Sequence, residues 1–477
     1  MVLYRFRWVF CQLDALRHCF PPNLRQYLNE LPETLDETYD RILKGIHKVQ
    51  MNNAHRLLHC LTVAVRPLLV EELAELLAFD FQASTAGGIP TLKEDWRWDN
   101  QEEAILSVCS SLIAIIPRDD SRVVQFSHFS VKEYLMSSRL ARSPHGDVSQ
   151  FRIDLELAHM IMAQACLATV LKLNERAGRS DEKVSPLVEY AAQHWVDHTQ
   201  FEKVSSRVRE GMDDLFDGSK PHFAAWLREH DIDQSWVCFS PYSRDVASPL
   251  YYAAFCGFYD LVERIIMKHP EQVNARGGRI LAPLPAALYK RHFEVANLLY
   301  SHGAVVDVRG KSEYTLLRVA SYDGQVDIMR WLLDHGADPN ARNRSGLTPL
   351  SGAASRKHVD AVQILLEYNT DINSQSDGGE TPLYWVLTRG HSDGKVPDIV
   401  RRLLEHGADP NICDNDRSTP LHQASSRGLL EAVRLLLSYG AKVDEKDEDG
   451  RTPFQLAASE GHDEITKLLL EHSAVPE

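Results

Sequence analysis

The chain has 477 residues, 44% apolar and 25% charged, a globular balance that excludes collagen-like, mucin-like and wholly disordered classes and allows about three folding units. Its 52 basic and 67 acidic residues leave a net charge of −15 with histidine neutral, which opposes non-specific adhesion to nucleic acid and to anionic lipid. The eight cysteines form no Cys-x-x-Cys pair and have no histidines at ligand spacing, so neither a disulfide framework nor a zinc knuckle is expected, and the anticipated compartment is reducing, cytoplasm or nucleus.

Tyr4 to Phe20 is apolar and aromatic enough to suggest a signal peptide, but Arg5, Arg7, Asp14 and Arg17 interrupt it. No apolar run approaches the roughly 18 residues of a membrane span, so no membrane association is expected. Residues 1–52 read as helices broken at Pro21-Pro22 and Pro32, with Leu31-Pro32-Glu33-Thr34-Leu35-Asp36-Glu37 leading into Ile42-Leu43. Residues 53–140 follow as a domain: two amphipathic helices over 56–77, short strands at 111–116 and 123–126 around an Asp119-Asp120 turn, then a further helix. Helix, helix, hairpin and helix predict a winged helix. Its eight basic against twelve acidic residues give −4, a surface that repels DNA, so direct nucleic-acid contact is not expected. Residues 141–217 read as a helical spacer, built on 155–171 and 186–195.

This half of the chain is similar to the segment that follows the nucleotide-binding core in fungal NACHT-ankyrin proteins, signalling NTPases related to NOD-like receptors. The resemblance implies a regulatory winged helix and a helical spacer whose NTPase core would lie upstream of residue 1, and it leaves open whether Met1 is the true start. It also implies a role for His128, in Phe126-Ser127-His128-Phe129, since a similar histidine in NOD-like receptors lies against the ADP phosphate. The alternative is a histidine satisfied at a helix start. No Gly-x4-Gly-Lys-Ser/Thr loop occurs in the chain, so no cofactor and no enzymatic activity are expected, and no metal site is indicated.

From residue 248 the text repeats. Ser248-Pro249-Leu250, Ala282-Pro283-Leu284, Thr315-Leu316-Leu317, Thr348-Pro349-Leu350, Thr381-Pro382-Leu383, Thr419-Pro420-Leu421 and Thr452-Pro453-Phe454 recur at steps of 34, 33, 33, 33, 38 and 33. Each unit predicts two antiparallel helices: a hydroxyl cap with proline at the first helical position, small residues such as Ala353-Ala354, and a glycine stop at Gly257, Gly324, Gly390, Gly428 and Gly461. A leucine stripe then marks the second helix, and only stacking on neighbouring units buries it. With Gly-Ala-Asp-Pro-Asn at 336–340 and 407–411, residues 248–477 resemble seven ankyrin repeats, and 218–247 a degenerate capping half-repeat. The expected fold is therefore mainly α: a winged helix and helical spacer followed by an ankyrin-repeat α-solenoid.

Gly390 to Val396 imitates both a phosphate-binding loop and a Gly-x-Ser-x-Gly elbow around Ser392, but as a phosphate loop it is one residue short and ends in valine, as an elbow it lacks the preceding strand, and it reads as an enlarged interhelical loop. Functional candidates lie on the first-helix face instead. Arg356, Arg389 and Arg427 occupy one repeat position at steps of 33 and 38, Arg344, Arg417 and Arg451 lie on adjacent turns, and Tyr314 and Tyr322 supply aromatic anchors. The reading is a non-enzymatic scaffold or signalling-receptor fragment whose ankyrin concave face binds a protein partner, with an acidic segment of that partner as the expected ligand. The alternatives are a nuclear transcriptional co-regulator acting through a DNA-binding partner and a regulator in trans of a NACHT NTPase. A competing reading of the arginines is that of solvated helix-end residues facing the helix dipole.

Overall fold

A computed structural model describes residues 34–82, 88–141, 146–173, 185–233, 247–310, 313–388 and 394–473. The chain divides into two compact units, Met1–Ser235 and Trp236–Glu477.

In the first unit, Thr34 and Glu37 close a capping box on α1 (Leu35–Lys44), each side chain bonded to the other's backbone N–H at 3.2 Å. Tyr39 and Leu43 carry the buried face of α1. α2 (Met51–Val63) contributes Ala54, Leu57, Leu58 and Cys60 to the core. β1 (Leu68–Leu69) runs directly into α3 (Val70–Leu77). β2 (Phe79–Asp80) pairs with β3 (Thr91–Leu92), and α4 (Gln101–Cys109), capped by Asn100, leads into a hairpin of β4 (Ile113–Arg118) and β5 (Ser121–Phe126). Asp119 adopts φ 51° to turn that hairpin. The three-stranded sheet is ordered β1-β5-β4 with Val124 opposite both Leu68 and Ile115, and α5 (Phe129–Met136) follows it. Helices plus a short antiparallel sheet in this order make a winged helix.

Two carboxylates sink into its core. Glu72, 1% exposed, is held by Arg66 at 2.5 Å and caps α3 by accepting the Leu69 N–H at 2.8 Å, while Glu75 is held by Arg97 at 2.6 Å. Paired and hydrogen-bonded in this way, both charges escape the penalty of lone burial.

The rest of this unit is helical. α6 (Leu155–Leu171) is capped by Asp154 and buried on nearly all sides, as its uniformly apolar sequence requires. α7 (Val188–Thr199) packs along it, followed by α8 (Arg209–Leu215) and α9 (His222–Glu229). Trp195, Phe216, Phe223 and Trp226 form one aromatic cluster with centroids 5.3 to 6.1 Å apart. The Trp226 indole donates to the Ala192 carbonyl at 3.0 Å. Residues 222–229, read from sequence as a cap for the repeat array, thus belong to the core of the first unit.

The second unit is a stack of helix pairs, inner helix first. The pairs are Pro249–Cys256 with Tyr259–Lys268, Pro283–Tyr289 with Phe293–Ser301, Leu316–Asp323 with Val326–Asp334, and Pro349–Ser355 with Val359–Glu367. Pro382–Thr388 with Lys395–Glu405, Pro420–Ser426 with Leu430–Ser438, and Pro453–Ser459 with Asp463–Ser473 complete it. Ser248, Thr315, Thr348, Thr419 and Thr452 each accept an N–H of the helix that they open. Inner helices pack on one another, as do outer helices, between the first and second pairs and from the third pair to the seventh, so most of the leucine stripes are buried between neighbours. Between the second and third pairs the Trp331 indole donates to Asn297 at 2.8 Å and its ring meets Tyr300 edge-on. Gly257, Gly324 and Gly428 take left-handed conformations at which a Cβ would lie 2.5, 2.7 and 2.6 Å from the rings of His292, His358 and His462 in the next unit. His358 and His462 donate from Nε2 to the carbonyls of Tyr322 and Ser426 at 3.0 and 3.2 Å, tying unit to unit.

A second tie runs along the turns. Asn274, Asn340, Asn373 and Asn411 each accept a backbone N–H of the next unit at 2.7 to 2.9 Å and donate to a carbonyl at its outer-helix end at 2.9 to 3.4 Å. At the turn tips, Asp377, Asn415 and Glu448 donate backbone N–H groups to Ser345, Gly378 and Asp416 of the preceding turn.

Candidate protein-binding surface

Inner helices and turns line the concave side that such stacking leaves free. On the third inner helix, Leu316–Asp323, Arg318 and Tyr322 lie four residues apart and share one helical face, while Tyr314 immediately precedes the Thr315 N-cap. The Arg318 guanidinium carbon lies 4.7 Å from the Tyr314 ring centroid and 5.8 Å from that of Tyr322. Arg356, at the end of the next inner helix, covers Tyr322 at 4.2 Å. Two guanidiniums therefore share one phenol ring, an arrangement favoured by the ring quadrupole but opposed by the mutual repulsion of the cations. Gly352, on the fourth inner helix, faces this group: a Cβ there would make ordinary van der Waals contact with the Arg318 carbonyl oxygen and Tyr322 Cβ at 3.6 and 3.7 Å.

Arg318 has no ion-pair partner among the described residues. Its Nε is sealed from solvent without an acceptor, and burial lowers the guanidinium's affinity for its proton. At the matching position of the sixth unit, His422 donates from Nε2 to the Arg451 carbonyl at 3.1 Å, a tie that Arg318 does not make. Sequence reasoning passed over Arg318. The signal available was its place in Thr315-Leu316-Leu317-Arg318, where it fills the histidine position of Thr419-Pro420-Leu421-His422, with tyrosines four residues to either side.

Of the predicted surface residues, Arg356, Tyr314 and Tyr322 are brought together around Arg318. Arg427 is exposed at the end of the sixth inner helix and has no ion-pair partner among the described residues. Arg389 lies outside the described residues, as does the Ser392 loop. Arg344 and Arg417 are exposed at turns, Arg417 with φ 58°. Arg451 folds onto Asp447 and Asp449 at 3.0 and 2.6 Å, so its charge is neutralised within its own turn.

In the winged helix, His128 is the N-cap of α5: its Nδ1 accepts the Ser130 N–H at 3.2 Å and lies 2.6 Å from Ser130 Oγ, which in turn is 2.8 Å from the Tyr39 hydroxyl. This geometry matches the helix-start reading of His128. Among the described residues no cluster of three or more His, Cys, Asp or Glu is arranged to hold a metal, and no helix is long and apolar enough to cross a membrane.

The fold and this surface define an ankyrin-repeat chain that also carries a winged-helix domain. Residues 250–343, 316–394 and 391–477 match ankyrin repeats in three copies, and 39–152 match the GPI inositol-deacylase winged helix domain. The chain is similar to azaphilone pigments biosynthesis cluster protein L of Monascus ruber, with 31% identity over 292 residues, 57% of this chain and 60% of that protein. An ankyrin array supports a general role as a protein-interaction scaffold.

Proposed function

We propose that this chain is a non-catalytic scaffold that captures a protein partner on the inner-helix face of its ankyrin array, the partner contributing an acidic segment. The observation that supports this most directly is the Tyr314–Arg318–Tyr322–Arg356 group, which sets planar, hydrogen-bonding cations and aromatic area on a face left open by stacking. Arginine and tyrosine dominate interface energetics because each joins apolar area to directional polar contacts. The array as a whole is acidic, with 26 basic and 33 acidic residues over 240–477, so positive potential on this face is local and selective.

The test uses the full chain immobilised against extract of its source cells. A variant combining Tyr322→Ala, Arg356→Glu and Arg427→Glu is compared with an outer-helix control, Arg330→Glu with Arg401→Glu. A partner retained in stoichiometric amount by wild type and control, and lost by the inner-face variant, is the expected result. Equal retention by all three overturns the reading.

A further inference from the structure

The third unit contains a charge that the fold does not use. Buried arginines are ordinarily answered by a carboxylate or a set of carbonyls, because a half-buried cation without them loses hydration and gains nothing in return. Arg97 is matched by Glu75 and Arg66 by Glu72 in the first unit, and Arg451 by Asp447 in the seventh repeat. Arg318 has no such match among the described residues: two neutral tyrosine rings flank it, its Nε is closed off, and a second cation, Arg356, lies across the same Tyr322 ring. Its two Nη groups are neither hydrogen-bonded among the described residues nor sealed from solvent, so the end-on edge of the guanidinium fork is the one offered outward. The flanking rings restrict the approach to a planar group, and one fork presents two parallel donors.

We infer that Arg318 is a preformed seat for a single acidic side chain, an Asp or Glu in an extended segment of a protein partner, which docks end-on between Tyr314 and Tyr322 with Arg356 at the rim. This rests on the inner-face reading above and narrows it to one anchoring contact. A carboxylate fits better than a phosphate group here, because it is planar and singly charged and two parallel N–H donors satisfy it. A dianionic tetrahedral group would call for donors in more directions than one guanidinium fork supplies. The seat is preorganised, since Arg318 is already held by its two rings before any ligand arrives, which limits the side-chain entropy lost on binding. The row of helix-end arginines supplies steering, while Arg318 supplies the specific contact.

The experiment selects binders from a random twelve-residue peptide library displayed on phage, using the intact chain as bait, and then measures each selected peptide by fluorescence anisotropy. The expected binders share one Asp or Glu. Changing it to Asn or Gln weakens binding at least tenfold, Arg318→Met does the same, and combining the two adds no further loss, as required of two groups that contact each other. Arg356→Gln costs two- to threefold, with a weaker salt dependence, because one steering charge is gone. Arg318→Met is expected to melt no lower than wild type, because it removes an unanswered half-buried charge. If that variant melts several degrees lower, Arg318 is structural and the inference fails. Arg318→Lys keeps the charge without the fork and is expected to bind at least fivefold more weakly. Peptides that ignore Arg318→Met but lose affinity for Tyr322→Ala or Arg427→Glu overturn this seat while leaving the inner-face reading standing. A library that yields no peptide sensitive to any of these variants overturns both.

Discussion

The Asp307 carboxylate accepts the Asp338 N–H at 2.9 Å, in the place where Asn274, Asn340, Asn373 and Asn411 make the same bond in the neighbouring units. The asparagines also donate to a carbonyl at the end of the next outer helix, and an ionised carboxylate has no proton to give. Burial, with the Asp338 carboxylate nearby, raises the Asp307 carboxyl above its ordinary range even though it accepts that N–H. Asp307→Asn is therefore expected to stabilise the array by about 1 kcal/mol, the net worth of one added hydrogen bond. Because the folded-state pKa is raised, wild type recovers stability as pH falls through it, when the protonated acid resembles the amide. The advantage of the variant, read as the difference in melting temperature, should accordingly shrink from pH 7 to pH 4. A constant difference would refute the protonation argument.

Lys357 and Arg417 hold left-handed conformations, φ 59° and 58°, at positions filled in sister units by Gly324 and Gly428 or by Gly346, Gly379 and Gly450. A left-handed L-residue costs about 1–2 kcal/mol, and glycine returns part of that through the entropy of the unfolded chain. Lys357→Gly and Arg417→Gly should each raise stability by about 0.5 kcal/mol in urea titration. The reverse change has a second penalty at Gly324, where a Cβ would meet the His358 ring at 2.7 Å. Gly324→Ala is expected to lower stability by about 2 kcal/mol or more, since backbone strain and overpacking act together.

Much of the second unit was legible in the sequence because each device there is local. A threonine cap, a proline at the first helical position and a glycine stop each act within one turn of helix, and each recurs in at least five of the seven units. The winged helix was legible for a similar reason, since Asp119-Asp120 between two β-rich runs marks a hairpin. Contacts between distant residues were not. Nothing in the text pairs Glu75 with Arg97, or sets Trp226 on Trp195 rather than on the repeats that follow. Arg451 matched the surface pattern but found acids in its own turn. Arg318 was overlooked because its significance lies in the absence of a partner, which only three-dimensional packing discloses.

Glu72 and Arg66 test how the winged helix tolerates its buried charge. Glu72 is 1% exposed and engaged by Arg66 and by the Leu69 N–H. Arg66→Met leaves the carboxylate uncompensated and should cost about 3–5 kcal/mol, whereas Arg66→Met with Glu72→Gln removes the charge itself and should cost about 1–2 kcal/mol. A double variant more damaged than the single one, measured by chemical denaturation, would show that the bidentate geometry rather than charge neutralisation is what the fold requires.

His198 gives the first unit a pH-dependent stability. The ring is fully buried in α7, within hydrogen-bonding distance of the Tyr190 hydroxyl through Nε2 at 2.9 Å and of His159 Nδ1 at 3.0 Å. Burial first, then the neighbouring His159, lowers it from the ordinary histidine value to about 3. The folded state thus holds this ring neutral while the unfolded chain protonates it near pH 6.5, so the contribution is complete above pH 6.5 and declines as pH falls toward 3. The decline is about 1.4 kcal/mol per pH unit for one such group. Unfolding midpoints in urea should accordingly drop between pH 7 and pH 5, and His198→Gln, less stable at pH 7 for want of the imidazole's packing and bonds, should flatten that slope. An unaltered slope in His198→Gln would assign the acid sensitivity to other groups, of which His55, lowered to about 4 chiefly by burial, is the next to substitute.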